Sequence, residues 1–573
     1  MASHPPVVKT LHFLFIAFCL SLVFPPSSPL AAGEDQIEIL PGVKATLENG
    51  RNIHLVYSPK PGEGYLSMAE KFTPSRETWK ELKEINSDPM LIEGKEYKIP
   101  YRLLRDEYKY LIITKIFPSD RYEKKNWHHH PSKSSLETFS VGLWQTAEWF
   151  TGKGEHFKEL MSLNKVSDPA SISGKEILIP DKLLLPVFSR AHTSDFKDIA
   201  FGVDKQGEYA GYRLKKGEAL YTSVVIRFTG VSEIDDVNHL ADLIAKRSGI
   251  KNVKKIPVRQ LVKIPIDYLL PEYLPKTDPR RIAYELERYE LSKYKKTFIA
   301  KKLEGIYLIM DAGHGGVDLG TLSNDVWEHD YVYDIMCRIK RKIEKETGAT
   351  FLPIIKDKKT GYTVYDKKKL SKNKQGHILT HPNFLAINKS DTKRAVNLRW
   401  YLANSHRRKL LAKGVDDDRI VFVSVHADSL YPGLRGAMVY IPGQRYIRGT
   451  YGNGGSKRYT RFREVREKPY VSFSKKQKAQ SEALSREFAE KVIKAFAREG
   501  LPVHQYIPIR NRITRKGRKW VPAVLRGNEI PIKILLEVAN LKNKKDAQLM
   551  KKPEFREKVA SAFVKALLNF YGE

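Results

Sequence analysis

Three short apolar runs in the C-terminal half of the chain each stop on a residue able to bind a metal ion. Ile306-Tyr307-Leu308-Ile309-Met310 runs into Asp311-Ala312-Gly313-His314-Gly315-Gly316. Val421-Phe422-Val423-Ser424-Val425 runs into His426, and Ile532-Lys533-Ile534-Leu535-Leu536 runs into Glu537. Near-continuous apolar runs of this length are expected of strands buried on both faces. Stretches of helical periodicity separate them, which predicts an α/β domain. Side chains at the carboxyl ends of such strands collect along one edge, where α/β folds place their sites. A further candidate, Glu328, lies in Val326-Trp327-Glu328-His329-Asp330, at the start of an amphipathic helix predicted to end at Gly348.

Taken singly, these residues have ordinary explanations. A histidine at a strand end is usually structural, Glu328 suits the positive end of a helix dipole, and Glu537 could serve an ion pair. Together they point to chemistry. Two histidines and one carboxylate form a catalytic zinc set with a position left open for water. Zinc lowers the pKa of such a water to about 7. The remaining carboxylate can take the water's proton and pass it to a departing amine.

With their neighbours, the four residues resemble the zinc-dependent N-acetylmuramoyl-L-alanine amidases of bacterial cell walls. The likeness spans about 303–573 and is carried by DAGHGG (311–316), the Glu of VWEHD, NLRWYLAN (397–404), SVHAD (424–428), GAMVY, VLRGNEIP (524–531) and LLEVANLKN (535–543). The resemblance implies that His314, Glu328 and His426 hold one zinc ion per catalytic domain and that Glu537 is the catalytic carboxylate. It also implies a mixed sheet flanked by helices, and cleavage between N-acetylmuramic acid and L-alanine of the peptidoglycan stem. The chain departs from the family pattern at Asp428, where Asn is usual. It departs again at Val538-Ala539-Asn540, where Gly-Phe is usual, and at Lys356, where Arg is usual.

Two inserted segments are strongly basic. Residues 441–478 hold 11 Lys and Arg against two acids, Glu464 and Glu467, and residues 510–520 hold six and no acid. Both are expected near the cleft, steering an anionic wall to the site or covering it until a protein activator moves them. A polar insertion, 357–392, is expected between the second strand and NLRWYLAN.

The N-terminal half repeats one order of features three times. PGEGYLSMAEKF leads through LKEIN to a segment ending at Pro100, VGLWQTAEWF through LMSLN to one ending at Pro180, and YRLKKGEALYTSVVIRF through a longer helix to one ending at Pro265. Each predicts a turn, two helices and a strand closing on Ile-Pro. These small α+β units, at 53–105, 136–186 and 208–275, resemble degenerate LysM modules of βααβ form, which implies binding to the N-acetylglucosamine-containing glycan strands of peptidoglycan. The third is the most divergent. Asn126–Pro131 (NWHHHP) is expected to be a loop, and 276–302 a helical linker.

Residues 1–32 carry one lysine, no acid and a 14-residue apolar run, Leu11–Phe24, before the small residues Ala31 and Ala32. That order predicts a secretory signal, because the run falls short of the roughly 20 residues that span a bilayer. An exported chain with no membrane span after signal cleavage is expected, in the periplasm or at the cell surface. The formal net charge of +34 favours polyanionic partners; for an exported chain that means the wall rather than nucleic acid. Two other readings are a non-catalytic peptidoglycan-binding scaffold and a different zinc wall peptidase.

Overall fold

The computed structural model describes residues 36–49, 51–136, 141–170, 172, 174–189 and 195–572. The predicted signal segment lies outside the described residues. The chain forms two compact units, one within residues 36–185 and one centred on 186–573. No helix among the described residues is long and apolar enough to cross a membrane.

The first unit contains two βααβ arrangements. In the first, strands Asn52–Tyr57 and Tyr97–Pro100 pair antiparallel and enclose helices Tyr65–Phe72 and Trp79–Asn86. An added hairpin, Gln36–Leu40 and Val43–Glu48, widens this sheet to four strands. In the second, Asn126–His129 pairs with Ile177–Pro180 around helices Leu143–Thr151 and Phe157–Leu163. Asn86 and Asn164 play the same part in the two copies. Each side-chain amide donates to a carbonyl of its own helix and to the closing strand, and its oxygen accepts that strand's N–H. This sew-stitch ties the second helix to the sheet.

The histidine run is not a loop. Asn126–His129 alternates half-buried and buried, and Trp127 and His129 face the core as a strand requires. His129 is fully buried against Asp120, at 2.7 Å, while His128 turns outward to Glu176.

The second unit is built on a six-stranded sheet. Its strands are β1 (Tyr307–Ala312), β2 (Thr350–Pro353), β3 (Ile420–Asp428), β4 (Met438–Tyr440), β5 (Ile509–Arg510) and β6 (Ile532–Asn540), in the order β2-β1-β3-β6-β4-β5. The first four in that order run parallel, β4 runs against β6, and β5 runs with β4. The sheet is therefore mixed and, as expected from the apolar runs, covered on both faces.

Alternating residues feed two cores. Leu308, Met310, Val421, Val423, Ile532 and Ile534 pack with helices α1 (Glu328–Glu346), α3 (Lys475–Arg498) and α4 (Pro553–Phe570). Ile309, Ile420, Phe422 and Leu535 point to the opposite core, which holds α2 (Lys389–Leu411).

That second core also contains Val224, Phe228, Leu240, Ile244, Val262 and Ile264 of the third repeat. The repeat pairs strand Gly207–Arg213 with Leu261–Pro265 and includes the helix Ile234–Arg247. Its apolar interior is continuous with one face of the six-stranded sheet. Polar contacts reinforce the join: Arg510 donates to the Gly230 carbonyl and the Ser232 hydroxyl, and the Tyr431 N–H donates to the Ser232 carbonyl. The segment read as a linker forms a helix over Pro279–Ser292, capped by Asp278, and packs on α3.

Candidate metal centre and catalytic cleft

The chain topology brings the four predicted residues to one end of the sheet. His314 follows the end of β1, and Glu328 is the first residue of α1. His426 and Glu537 are register partners on the adjacent parallel strands β3 and β6. The last strand does not stop at Glu537, as its apolar run suggested, but continues three residues to Asn540.

The loop after β1 is shaped for close approach. A Cβ at Gly313 would lie 2.2 Å from the His426 ring, and one at Gly320 (φ +69°) would lie 2.6 Å from both Glu328 Oε2 and the His314 ring. Only glycine fits at either position. His314 itself adopts φ 67°, a conformation costly for a residue with a side chain and found at functional sites.

Glu328 is held by backbone donors: Ala427 N–H to Oε1 at 3.0 Å and Thr321 N–H to Oε2 at 2.9 Å. His314 Nε2 and His426 Nδ1 approach Oε1 at 3.1 and 3.0 Å. The far side of each ring fixes its tautomer. Ser424 donates to Asp311 at 2.7 Å, so its oxygen accepts from His426 Nε2–H at 3.1 Å. Asp318 Oδ2, at 3.0 Å, accepts from His314 Nδ1–H. Arg399 anchors the network by pairing with Asp311 and donating to the Ala312 and His314 carbonyls. In their neutral forms, both rings would turn lone pairs toward the carboxylate oxygen.

Three acceptors meeting this closely need a positive charge among them. Burial works against protonating His314, yet Glu328 and Asp318 overcome it and push the imidazole up to about 10. Glu328 is driven the other way: burial favours its acid form, but His314 and then His426 hold it well below the usual carboxylate range. A proton can supply the missing charge, and so can a divalent cation. His314, Glu328 and His426 offer ligand atoms all within 4.8 Å of one another, alone among the described His, Cys, Asp and Glu groups. The donor set suits zinc, with outer hydrogen bonds already orienting both rings.

Glu537 borders the same cleft, a cavity of about 420 Å³. The side chain is 8% exposed and its Oε2 has no hydrogen-bond partner. Burial, followed by the charges of Asp428 and Glu328, raises its pKa well above the ordinary glutamate value. Asp428, the departure from the family's Asn, is pushed up to about 7 by burial, with Glu328 and Glu233 adding and Arg510 opposing.

The sequence did not reveal two parts of this site. Asp311, Arg399 and Ser424 lie inside motifs that carry the resemblance, and Asp318 lies two residues beyond one of them, but none has a spacing signal that marks it as a brace for a histidine. The cleft wall formed by Glu233–Asp236 comes from the third repeat, far away in sequence.

The basic segments also need correction. Residues 510–520 reach the cleft through Arg515 and Lys516, whereas no residue of 441–478 lines it. The reason is the direction of β4, which runs antiparallel to β6 and carries the chain away from the site's edge. Segment 441–478 is instead tied down elsewhere. Glu467 accepts from Ser405 and Arg408, the Pro469 carbonyl accepts from Tyr401, and Lys468 pairs with Glu529 before β6 begins.

Two histidines and two glutamates thus gather at the carboxyl edge of an α/β sheet, three of them in a group able to hold a metal ion. The match to known families is specific: residues 308–569 fit the model for N-acetylmuramoyl-L-alanine amidase, and this part of the chain is an amidase domain of that family. No curated protein sequence matches the chain. Among solved structures, an N-acetylmuramyl-L-alanine amidase from Mycobacterium smegmatis is 20% identical, covering 48% of this chain and 99% of that one, with a TM-score of 0.30. The catalytic domain of an amidase from Bacillus (Paenibacillus) polymyxa is 16% identical, covering 46% and 97%, with a TM-score of 0.27. An N-acetylmuramoyl-L-alanine amidase of Nostoc punctiforme is 16% identical, covering 47% of this chain and 98% of that one, with a TM-score of 0.28.

Proposed function

We propose that the protein is an exported zinc amidase that cleaves the bond between the lactyl group of N-acetylmuramic acid and L-alanine of the peptidoglycan stem. The amidase domain supports hydrolysis of a peptidoglycan amide. The observation that supports the metal is the convergence of His314 Nε2 and His426 Nδ1 on Glu328 Oε1. Zinc, when bound there by His314, Glu328 and His426, supplies a Lewis acid and a water activated at neutral pH.

The protein's own groups do the rest. Glu537, which lines the cleft and keeps Oε2 without a hydrogen-bond partner, would take a proton from the attacking water and return it to the departing alanine nitrogen. Burial, with Asp428 and Glu328 beside it, raises its pKa above the ordinary glutamate value, which favours returning the proton after it has been taken. Asp318 and Ser424 keep the imidazoles in the tautomers that binding requires. The first two repeats, with Met90, Ile92 and Trp144 exposed, would hold glycan strands near the enzyme during wall remodelling or daughter-cell separation.

The test is incubation of the exported chain with purified peptidoglycan, with and without a chelator. Mass spectrometry should find stem peptides with a free L-alanine amino terminus, appearing only when zinc is present. Release of terminal D-alanine instead would make the protein a different wall peptidase. No release from a zinc-loaded protein would reject the catalytic reading.

A further inference from the structure

The cleft has a wall that the amidase domain does not supply. Glu233, Ile234, Asp235 and Asp236 of the third repeat border the same cavity as His314, Glu328, His426 and Glu537. This wall is fixed in place. Ser232, beside it, accepts from the Tyr431 N–H at 3.0 Å and from Arg510 at 3.1 Å. The Lys516 N–H donates to Asp236 at 2.7 Å, and the shared core lies directly behind the helix Ile234–Arg247.

The charge of the cavity runs against that of the protein. The chain carries +34, yet the cleft is lined by six carboxylates, Glu233, Asp235, Asp236, Glu328, Asp428 and Glu537, against Arg515 and Lys516. A divalent ion at the His314–Glu328–His426 set would offset only part of that charge. Arg515 lies 3.9 Å from Glu233 and is 59% exposed, a loose pairing. Burial raises the Glu233 pKa, and Asp236 and Asp235 add to the rise against Arg515 and Arg510. Asp235 is exposed.

Acids in the first turn of a helix are commonplace and favoured by its dipole. Their position in a ligand cavity is the separate fact. Glu537, at 8% exposure and with its buried Oε2 unpartnered, lines the same cavity, so the proposed proton carrier and this wall border one space. The wall residues are not part of any convergent metal-binding group among the described residues. A diffuse organic cation fits them better than a second metal ion.

We propose that Glu233 and Asp235 form a cation subsite of the cleft, taking a protonated primary amine carried by the substrate. The third repeat thus serves as a specificity wall of the active site. Two wall chemistries provide such an amine: the side-chain ammonium of a diamino acid in the stem, or a glucosamine lacking its acetyl group. The proposal rests on the peptidoglycan reading above.

The test compares muramoyl peptides carrying lysine or the uncharged norleucine at the third stem position. The zinc-loaded full chain should show a kcat/KM about tenfold higher for lysine, as one well-placed charge contact provides. In Glu233→Gln/Asp235→Asn, which keeps side-chain size, the preference should fall to near unity. Arg515→Ala, which removes the competing cation, should increase it. Calorimetric binding of the two peptides to Glu537→Gln reads the same preference without turnover. A third pair, acetylated and deacetylated glycan on a norleucine stem, separates the sources; a preference for the free sugar amine supports the subsite and assigns it to the glycan strand. Equal kcat/KM and equal binding for every charged and uncharged pair would overturn the proposal, as would a preference unchanged in the double variant. Absence of hydrolysis with the binding preference intact would reject the catalytic reading alone.

Discussion

His426 and Glu537 are direct register partners on the neighbouring parallel strands β3 and β6. A proposed metal ligand and the proposed proton carrier are therefore fixed side by side in the backbone of a sheet rather than on loops, a placement that suits chemistry requiring a precise geometry. Their roles differ because their surroundings differ. His426 is braced by Ser424 and faces Glu328, whereas Glu537 keeps one oxygen free.

Glu537→Gln should lower kcat by about 10² to 10⁴, the range for losing a general acid–base. Zinc content should not change, because Glu537 lies outside the His314–Glu328–His426 set. Activity assays paired with metal analysis check both parts. A loss of zinc would make Glu537 a ligand instead.

Ser424→Ala and Asp318→Asn should each weaken zinc binding by about 10- to 100-fold, the usual effect of removing a group that orients a ligating histidine. Each change frees the outer nitrogen of one ring, His426 Nε2 or His314 Nδ1. Competition against a chromogenic chelator measures it. Unchanged affinity in both variants would show that the rings need no bracing.

Zinc binding should release protons at neutral pH. Without a metal, His314 is pushed up to about 10, so it stays protonated below that value, whereas a ligating imidazole must be neutral. The sign follows: apparent affinity rises with pH through the neutral range and falls in acid. Calorimetric titrations in buffers of different ionisation enthalpy would count the protons, and a count of zero would contradict this.

Phe228→Ala should destabilise the catalytic domain as well as the third repeat. Phe228 is 1% exposed and belongs to the core that also contains Phe422 and Leu535 of the sheet. A cost of about 3–5 kcal/mol is typical of such a truncation. Scanning calorimetry should show the repeat and the sheet melting together at lower temperature. Two separable transitions, with only one shifted, would argue for independent folding.

The strands and the four central residues were legible in the sequence because local patterns specify them. An apolar run buried on both faces needs no knowledge of its neighbours, and the glycines around His314 are demanded by contacts with His426 and Glu328. The Asn126–His129 strand was missed because consecutive histidines mask a period-two pattern that depends on Asp120 to satisfy the buried ring. The basic segment 441–478 was expected at the cleft on charge alone, but charge does not carry the direction of β4.

The sequence by itself determined an α/β sheet, the residues able to form a metal site and the repeated βααβ order, since each follows from periodicity and residue chemistry within a short window. Only the tertiary structure decided that the third repeat shares a core with the catalytic sheet and brings Glu233 and Asp235 to the cleft. It also decided which groups brace the histidines. The physical reason is common to both: side chains distant along the chain meet only after the apolar faces behind them have packed, and that packing is collective rather than local.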